Sequence, residues 1–195
     1  TTISRITTTD PEHKVIELVD PIPEDAPAEM AVENYSAMPS VLFAHNTVRD
    51  NRARGALFST HRRVVCRDNL FDHTHGSAIL LCGDANGWYE SGPCEEVWIT
   101  GNHFVNALTA RYQFTEGVIS IFPVLRRVVE GQYYHGRAVV EGNTFDISPS
   151  PLLYALSVRE LIWRDNKVRL TDDHTPLFDD PASRLINVGR TTFAP

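Results

Sequence analysis

The chain has 195 residues and a net charge of −7, with 18 basic against 25 acidic side chains. Its 42% hydrophobic and 22% charged content is typical of a soluble globular domain, and the acidic balance argues against nucleic acid as the main partner. No apolar run approaches the ~20 residues of a membrane helix, the first residues lack a signal-peptide pattern, and three cysteines are too few for a disulfide framework.

The first forty residues are rich in proline and acidic side chains. Only residues 15–19 have the branched apolar composition of a strand. We therefore predict an N-terminal extension, residues 1–40, in which one strand and a loop pack on the domain that follows.

Residues 41–170 repeat a segment centred on an asparagine. The positions five, four and three residues before the asparagine, and two after it, are always apolar or cysteine. The separations of 23, 33, 41 and 23 residues indicate a period of 23 with insertions of about 10 and 18 residues. The five asparagines are Asn46, Asn69, Asn102, Asn143 and Asn166.

A second short apolar run follows each asparagine segment, at residues 56–58, 78–81, 118–122, 152–156 and 185–187. These runs lack helical spacing, and no amphipathic helix is predicted anywhere in the chain. Short strands at this period predict an all-β fold, a right-handed parallel β-helix of about five to six coils. We interpret the asparagine column as structural, each side chain bonding the amide or backbone of a neighbouring coil.

A basic segment precedes the first insertion. Arg52 and Arg54 alternate, so both would point to one side of an extended chain and could bind hydroxyls or carboxylates. Surface charge or ion pairing with a neighbouring coil is the alternative. His73 and His75 have no third ligand at a suitable spacing, so no metal site is predicted.

Two insertions, near residues 82–96 and 105–137, are candidate functional loops because insertions leave a repetitive scaffold on one face. The first carries Asp84, Trp88, Tyr89 and Glu90, and carboxylates beside aromatic rings suit a sugar site. A solvated loop that covers the edge of a coil is the alternative. The second carries Glu116 and a Tyr-Tyr-His sequence, and is either a polar site or a closing loop. The tail, residues 171–195, contains one last predicted strand at 184–188.

Several stretches resemble the α-1,3-galactosidases of glycoside hydrolase family 110. They are AVENYSAMPSVLFAHNTVRDNRARGALFST, GSAILLCGDANGWYESGPCEEVWITGNHF, GVISIFP and VVEGNTF, and the resemblance covers about residues 31–168. It implies a β-helical, chiefly bacterial enzyme that removes terminal α-1,3-linked galactose from glycans with inversion, without metal or other cofactor. It also implies a secreted or periplasmic location.

The resemblance suggests roles for individual residues. Asp84 would be the first catalytic carboxylate, and Glu90 would be either its partner or an acceptor for the sugar hydroxyls, because inversion needs an acid and a base with water between them. Arg52, Arg54, Trp88, Tyr89 and Glu116 would bind the substrate. In the family the ISIFP segment usually continues with glutamate, whereas Val124 follows Pro123 here.

The valine keeps a second function open, a non-catalytic glycan-binding β-helix that has lost one carboxylate. A purely structural β-helix and a polysaccharide lyase are further alternatives, the lyase supported only by the basic segment at Arg52 and Arg54. The expected partners are a glycan and, for the ends of the stack, a second copy or further flanking coils.

Overall fold

A computed structural model describes residues 1–24, 26, 31–111 and 114–195. The chain divides into two compact units, residues 1–32 and 33–195. In the part of the chain that is described, no helix is long and apolar enough to cross a membrane.

The first unit contains an antiparallel hairpin of β1 (Ile3–Thr8) and β2 (Lys14–Leu18). The turn between them is held by Asp10, whose Oδ1 accepts the N–H groups of Glu12 and His13 at 2.9 Å. The predicted strand at 15–19 is thus found, shifted by one residue. The sequence prediction missed β1, because its serine, arginine and threonines hide the short alternation that pairs Ile6 with Ile16.

The second unit begins with a single 3-10 turn, Tyr35–Ala37, and continues as successive groups of three strands. The strands are β3 (Val41–Ala44), β4 (Thr47–Asn51), β5 (Ala56–Phe58), β6 (Arg63–Arg67), β7 (Leu70–Thr74), β8 (Ile79–Leu81), β9 (Glu96–Thr100), β10 (His103–Val105), β11 (Ile119–Ile121), β12 (His135–Glu141), β13 (Thr144–Ile147), β14 (Leu153–Arg164), β15 (Lys167–Leu170) and β16 (Arg184–Phe193).

Every strand pair described in this unit is parallel, and equivalent strands of successive groups lie side by side. First strands run β3-β6-β9-β12-β14, second strands β4-β7-β10-β13-β15, and third strands β5-β8-β11-β14. The long β14 joins two of these series, because its beginning pairs with β11 and its end with β12. The predicted all-β fold is therefore confirmed as a set of parallel strand stacks.

The core lies between the stacks and is built of like side chains in columns. Phe71, Phe104 and Phe145 on successive second strands are fully buried, with ring centroids 5.4 and 4.7 Å apart. Phe43 and Trp163 extend this aromatic column at either end. Of the apolar positions aligned in the sequence, the one two residues after the asparagine supplies the inward-facing rings of Phe71, Phe104 and Phe145. The position four residues before the asparagine faces outward at Leu42, which is exposed.

The asparagine column forms a continuous hydrogen-bonded ladder, as predicted. From Asn69 onward, each asparagine Oδ1 accepts both the backbone N–H and the side-chain Nδ2 of the preceding ladder residue, at 2.8 to 3.1 Å. The residue before each asparagine has a left-handed φ between 55° and 64°, which explains why aspartate, histidine or glycine stands there. These residues are His45, Asp68, Gly101, Gly142 and Asp165.

Candidate functional site

A cavity of about 230 Å³ opens beside the third-strand stack. We name it the Glu90 cavity. Three of its lining residues were predicted to act together, namely Arg54 before β5 and Trp88 and Glu90 in the loop between β8 and β9. The full lining is Arg54, Leu57, Cys82, Trp88, Glu90 and Phe114. The structure thus brings a cation, an aromatic ring and a carboxylate from two separate chain passages to one wall.

Glu90 lies against the Cys82 thiol. Burial is the main cause that raises the pKa of Cys82 to about 12, and the charge of Glu90 and a hydrogen bond to it act in the same direction. Cys82 therefore stays a neutral thiol that faces the carboxylate. The backbone N–H of Glu90 donates to the carbonyl oxygen of Asp84 at 2.9 Å, and this bond fixes the backbone position of Glu90 in the loop.

Asp84 is buried and organises the start of the same loop. Its Oδ1 accepts the N–H groups of Asn86 and Gly87, both at 2.8 Å. A Cβ at Gly87 would come within 3.3 Å of Oδ2, so glycine allows the close turn around the carboxylate. Asp84 is not among the residues that line the Glu90 cavity. The two predicted carboxylates are therefore connected through the loop backbone, Glu90 in the cavity wall and Asp84 buried at the start of the loop.

Position 124 lies next to this loop. The pairing of β8 with β11 continues past both strands, since Phe122 N–H donates to the Leu81 oxygen and Val124 N–H to the Gly83 oxygen, each at 2.9 Å. The Asn86 side chain donates back to the Val124 oxygen at 2.8 Å. Val124, which follows the ISIFP segment, is thus the neighbour of Asp84 on the adjacent chain passage.

The other predicted binding residues are more dispersed. Arg52 is exposed and lies in a bend rather than in an extended stretch, so it does not share the position of Arg54. Tyr89 is 85% exposed at the loop tip with φ 53°. Glu116 faces Arg184 at 4.0 Å and lies outside the lining of the Glu90 cavity. Residues 112 and 113 of the second insertion lie outside the described residues.

Sequence reasoning missed Leu57, Cys82 and Phe114 as cavity residues. For Leu57 a signal existed, because alternation in β5 turns it outward between Ala56 and Phe58. Tyr134 belongs to the Tyr-Tyr-His sequence that was a polar candidate of the second insertion, and its hydroxyl occupies the place of a side chain at Gly83, next to Asp84. Burial raises the pKa of Tyr134 to about 12, so this phenol stays protonated beneath the loop.

No group of three histidine, cysteine, aspartate or glutamate residues is arranged to hold a metal ion within the described ranges. His135 is buried, and burial lowers its pKa to about 3. Its Nδ1 accepts the backbone N–H of Cys94 at 3.2 Å. His135 is therefore a neutral core residue rather than a member of the cavity wall.

Comparison with known proteins finds relatives over most of the chain, whereas no family model matches it. The chain is 48% identical over 165 residues to alpha-1,3-galactosidase B of Bacteroides fragilis, covering 82% of this chain and 28% of the relative. It is 50% identical over 160 residues to alpha-1,3-galactosidase B of Akkermansia muciniphila, covering 82% and 20%. For alpha-1,3-galactosidase A of Bacteroides fragilis the identity is 36% over 158 residues, covering 80% and 26%.

The chain spans about a quarter of the length of these curated relatives. The aligned part is four fifths of this chain and thus includes most of its strand stacks. The chain is therefore a homologue of the alpha-1,3-galactosidase family, corresponding to a segment of its members.

Proposed function

We propose that this chain carries the glycan-binding and hydrolytic site of an exo-acting α-1,3-galactosidase. The observation that carries the proposal is the Glu90 cavity, which joins Arg54, Trp88 and Glu90 in a chain 48% identical to named alpha-1,3-galactosidases. An aromatic ring stacks on the apolar face of a pyranose, and a guanidinium and a carboxylate bind its hydroxyls.

The proposed chemistry is inversion at the anomeric carbon. Glu90, in the cavity wall, gives its proton to the glycosidic oxygen as the bond to galactose breaks. Asp84 lies outside the lining of the Glu90 cavity, at the start of the same loop, where two backbone N–H groups orient it. We assign it the role of the base that takes a proton from the water attacking the opposite face. Such a pair works at a separation of roughly 6.5–9.5 Å, which leaves room for the water.

The proposal includes the finer architecture and setting. We assign the strand stacks to a right-handed parallel β-helix of glycoside hydrolase family 110. Residues 41–170 would form the helix, with 1–40 and 171–195 flanking it. Arg52, Tyr89 and Glu116 would contact more distant parts of the glycan, and a secreted or periplasmic location follows from the resemblance.

The test is release of galactose from galactosyl-α-1,3-galactose by the full chain, followed by chromatography. Asp84→Asn and Glu90→Gln are each expected to lower release at least a hundredfold, since each removes one proton-transfer group. Glu24→Gln, an exposed glutamate of the first unit, is the matched control. The first product seen by NMR should be β-galactose. α-Galactose as first product would reject inversion, and unchanged release by both variants would reject the assigned pair.

The position of Val124 beside Asp84 favours one second function, glycan binding without hydrolysis. In that case calorimetry should show that the folded chain binds the disaccharide, while chromatography should detect no released galactose. Val124→Glu would then introduce a carboxylate beside Asp84 and create measurable release. Release by the unaltered chain would exclude this second function.

A further inference from the structure

A second cavity, of about 380 Å³, lies between the turn before β12 and the last strand. We name it the Glu130 cavity. Its volume falls in the range of roughly 300–1,000 Å³ that small-ligand sites occupy. It is separate in its lining from the Glu90 cavity, and it is lined by Glu130, Gly131, Tyr133, Leu185, Asn187, Val188 and Thr191.

Hydrogen bonds from one asparagine build the wall of this cavity. The Asn187 amide donates to the carbonyl oxygens of Val129 and Gln132, at 3.1 and 2.7 Å, and its Oδ1 accepts Gly131 N–H at 3.1 Å. Asn187 and Gly131 both adopt left-handed φ values, of 51° and 75°. The Asn187 side chain thus uses its donors and its acceptor to hold the turn that presents Glu130.

The Tyr133 ring packs against the backbone at Gly189. A Cβ at Gly189 would lie 2.8 Å from the ring, so the absence of a side chain there makes room for the tyrosine. The next residue is fixed as well, because Tyr134 N–H donates to Ser157 Oγ at 2.9 Å. Tyr133 remains 38% exposed and therefore offers ring surface to the cavity.

The chemistry of the lining selects the ligand class. The Glu130 carboxylate has no ion-pair partner among the described residues, and it can accept hydrogen bonds from hydroxyl groups. Thr191 adds a hydroxyl, while Leu185 and the Tyr133 ring add apolar contact. No lining side chain is cationic, so phosphate and sulfate groups would be repelled by Glu130 rather than bound. A neutral ligand with hydroxyls at its rim and an apolar face fits these groups.

We propose that the Glu130 cavity is a second saccharide-binding site. The choice of a saccharide as ligand rests on the proposed function. The two cavities share one structural link, since Tyr133 lines the Glu130 cavity while Tyr134 packs against Gly83, next to Asp84. The saccharide is either a distal part of the glycan held in the Glu90 cavity or a separate glycan.

The test is titration of the ¹⁵N-labelled chain with galactosyl-α-1,3-galactose and with a linear tetrasaccharide that ends in this unit. Shifts of the Gly131 and Thr191 amides report the Glu130 cavity without any need for hydrolysis. Glu130→Gln and Thr191→Val change exposed side chains and should each weaken the affinity measured from these shifts about tenfold, the effect of losing one hydrogen bond to the ligand. Glu24→Gln is the control.

If the disaccharide alone shifts these amides to saturation, the Glu130 cavity binds a separate glycan. Shifts with the tetrasaccharide alone support it as a site for the distal part of the substrate. The proposal would be overturned if neither sugar shifted these amides, or if both variants left the shifts unchanged. Galactose release without these shifts would reject the second saccharide site and leave the proposed function intact. These shifts without galactose release would reject only the proposed hydrolysis.

Discussion

At the scale of single residues, the asparagine ladder places buried side-chain hydrogen bonds on successive passages of the chain. Asn102 is buried and makes its hydrogen bonds to chain passages on both sides. Its Oδ1 accepts from Asn69, and its Nδ2 donates to the Cys66 oxygen and to Asn143. The partner residues Asn69, Asn143 and Cys66 are buried, so removing the Asn102 side chain leaves several buried polar groups without a hydrogen bond.

We expect Asn102→Ala to lower the free energy of unfolding by about 3–5 kcal/mol, because two or more buried partners lose their bond. Asn46→Ala removes an exposed member of the same ladder and should cost less than about 1 kcal/mol. Urea unfolding of both variants measures the difference. Equal losses would show that burial does not determine the strength of the ladder.

At the scale of elements, the loop between β8 and β9 is held by segments distant in the sequence. Glu33 accepts the Gly92 N–H with both carboxylate oxygens, at 3.3 and 3.2 Å. Ser59 Oγ donates to the Ser91 oxygen at 3.2 Å. These contacts fix the end of the loop just beyond Glu90, and Asp84 fixes its beginning.

Glu33→Ala should therefore loosen the end of the loop without unfolding the stacks. Loss of one exposed charge-assisted hydrogen bond is expected to speed hydrogen exchange of the Gly92 amide about threefold to tenfold, with little change at buried Phe104. Exchange followed by mass spectrometry or NMR makes the measurement, with Glu24→Ala as control. Unchanged exchange at Gly92 would show that the remaining contacts hold the loop alone.

The amino-acid sequence predicts the elements that repeat, but only part of the candidate site. Each repeat has an apolar residue at a fixed offset from its asparagine, as Phe104 follows Asn102, so the repeat pattern alone reveals their columns. Glu33 and Gly92 are 59 residues apart and share no pattern, so their contact depends on how the chain folds back. Cys82 and Phe114 were missed for the same reason, because the chain passages that line the Glu90 cavity come together only in the folded chain.

At the scale of the whole molecule, stability should fall in acid in two stages. Burial lowers the pKa of His135 to about 3, whereas an unfolded histidine has a pKa near ~6.5. The pKa of Asp72 is lowered by hydrogen bonds from His73 and Arg49, and that of Asp146 mainly by Arg169 and also by His103. In each case the unfolded chain binds protons at a higher pH than the folded chain does, so the free energy of unfolding decreases as pH falls.

The first stage belongs to His135 and runs from about pH 6.5 downward, while the aspartates contribute only below about pH 4. Between pH 6.5 and 5 the histidine alone should remove about 2 kcal/mol, since each pH unit in this window is equivalent to about 1.4 kcal/mol. His135→Gln keeps an acceptor for the Cys94 N–H but has no titrating ring, so its unfolding free energy should be nearly flat over this interval. His75→Gln, which removes an exposed imidazole, is the control and should keep the slope. Urea midpoints measured at half-unit steps from pH 7 to 4 distinguish the two variants, and a slope that survives in His135→Gln would place the proton uptake on another group.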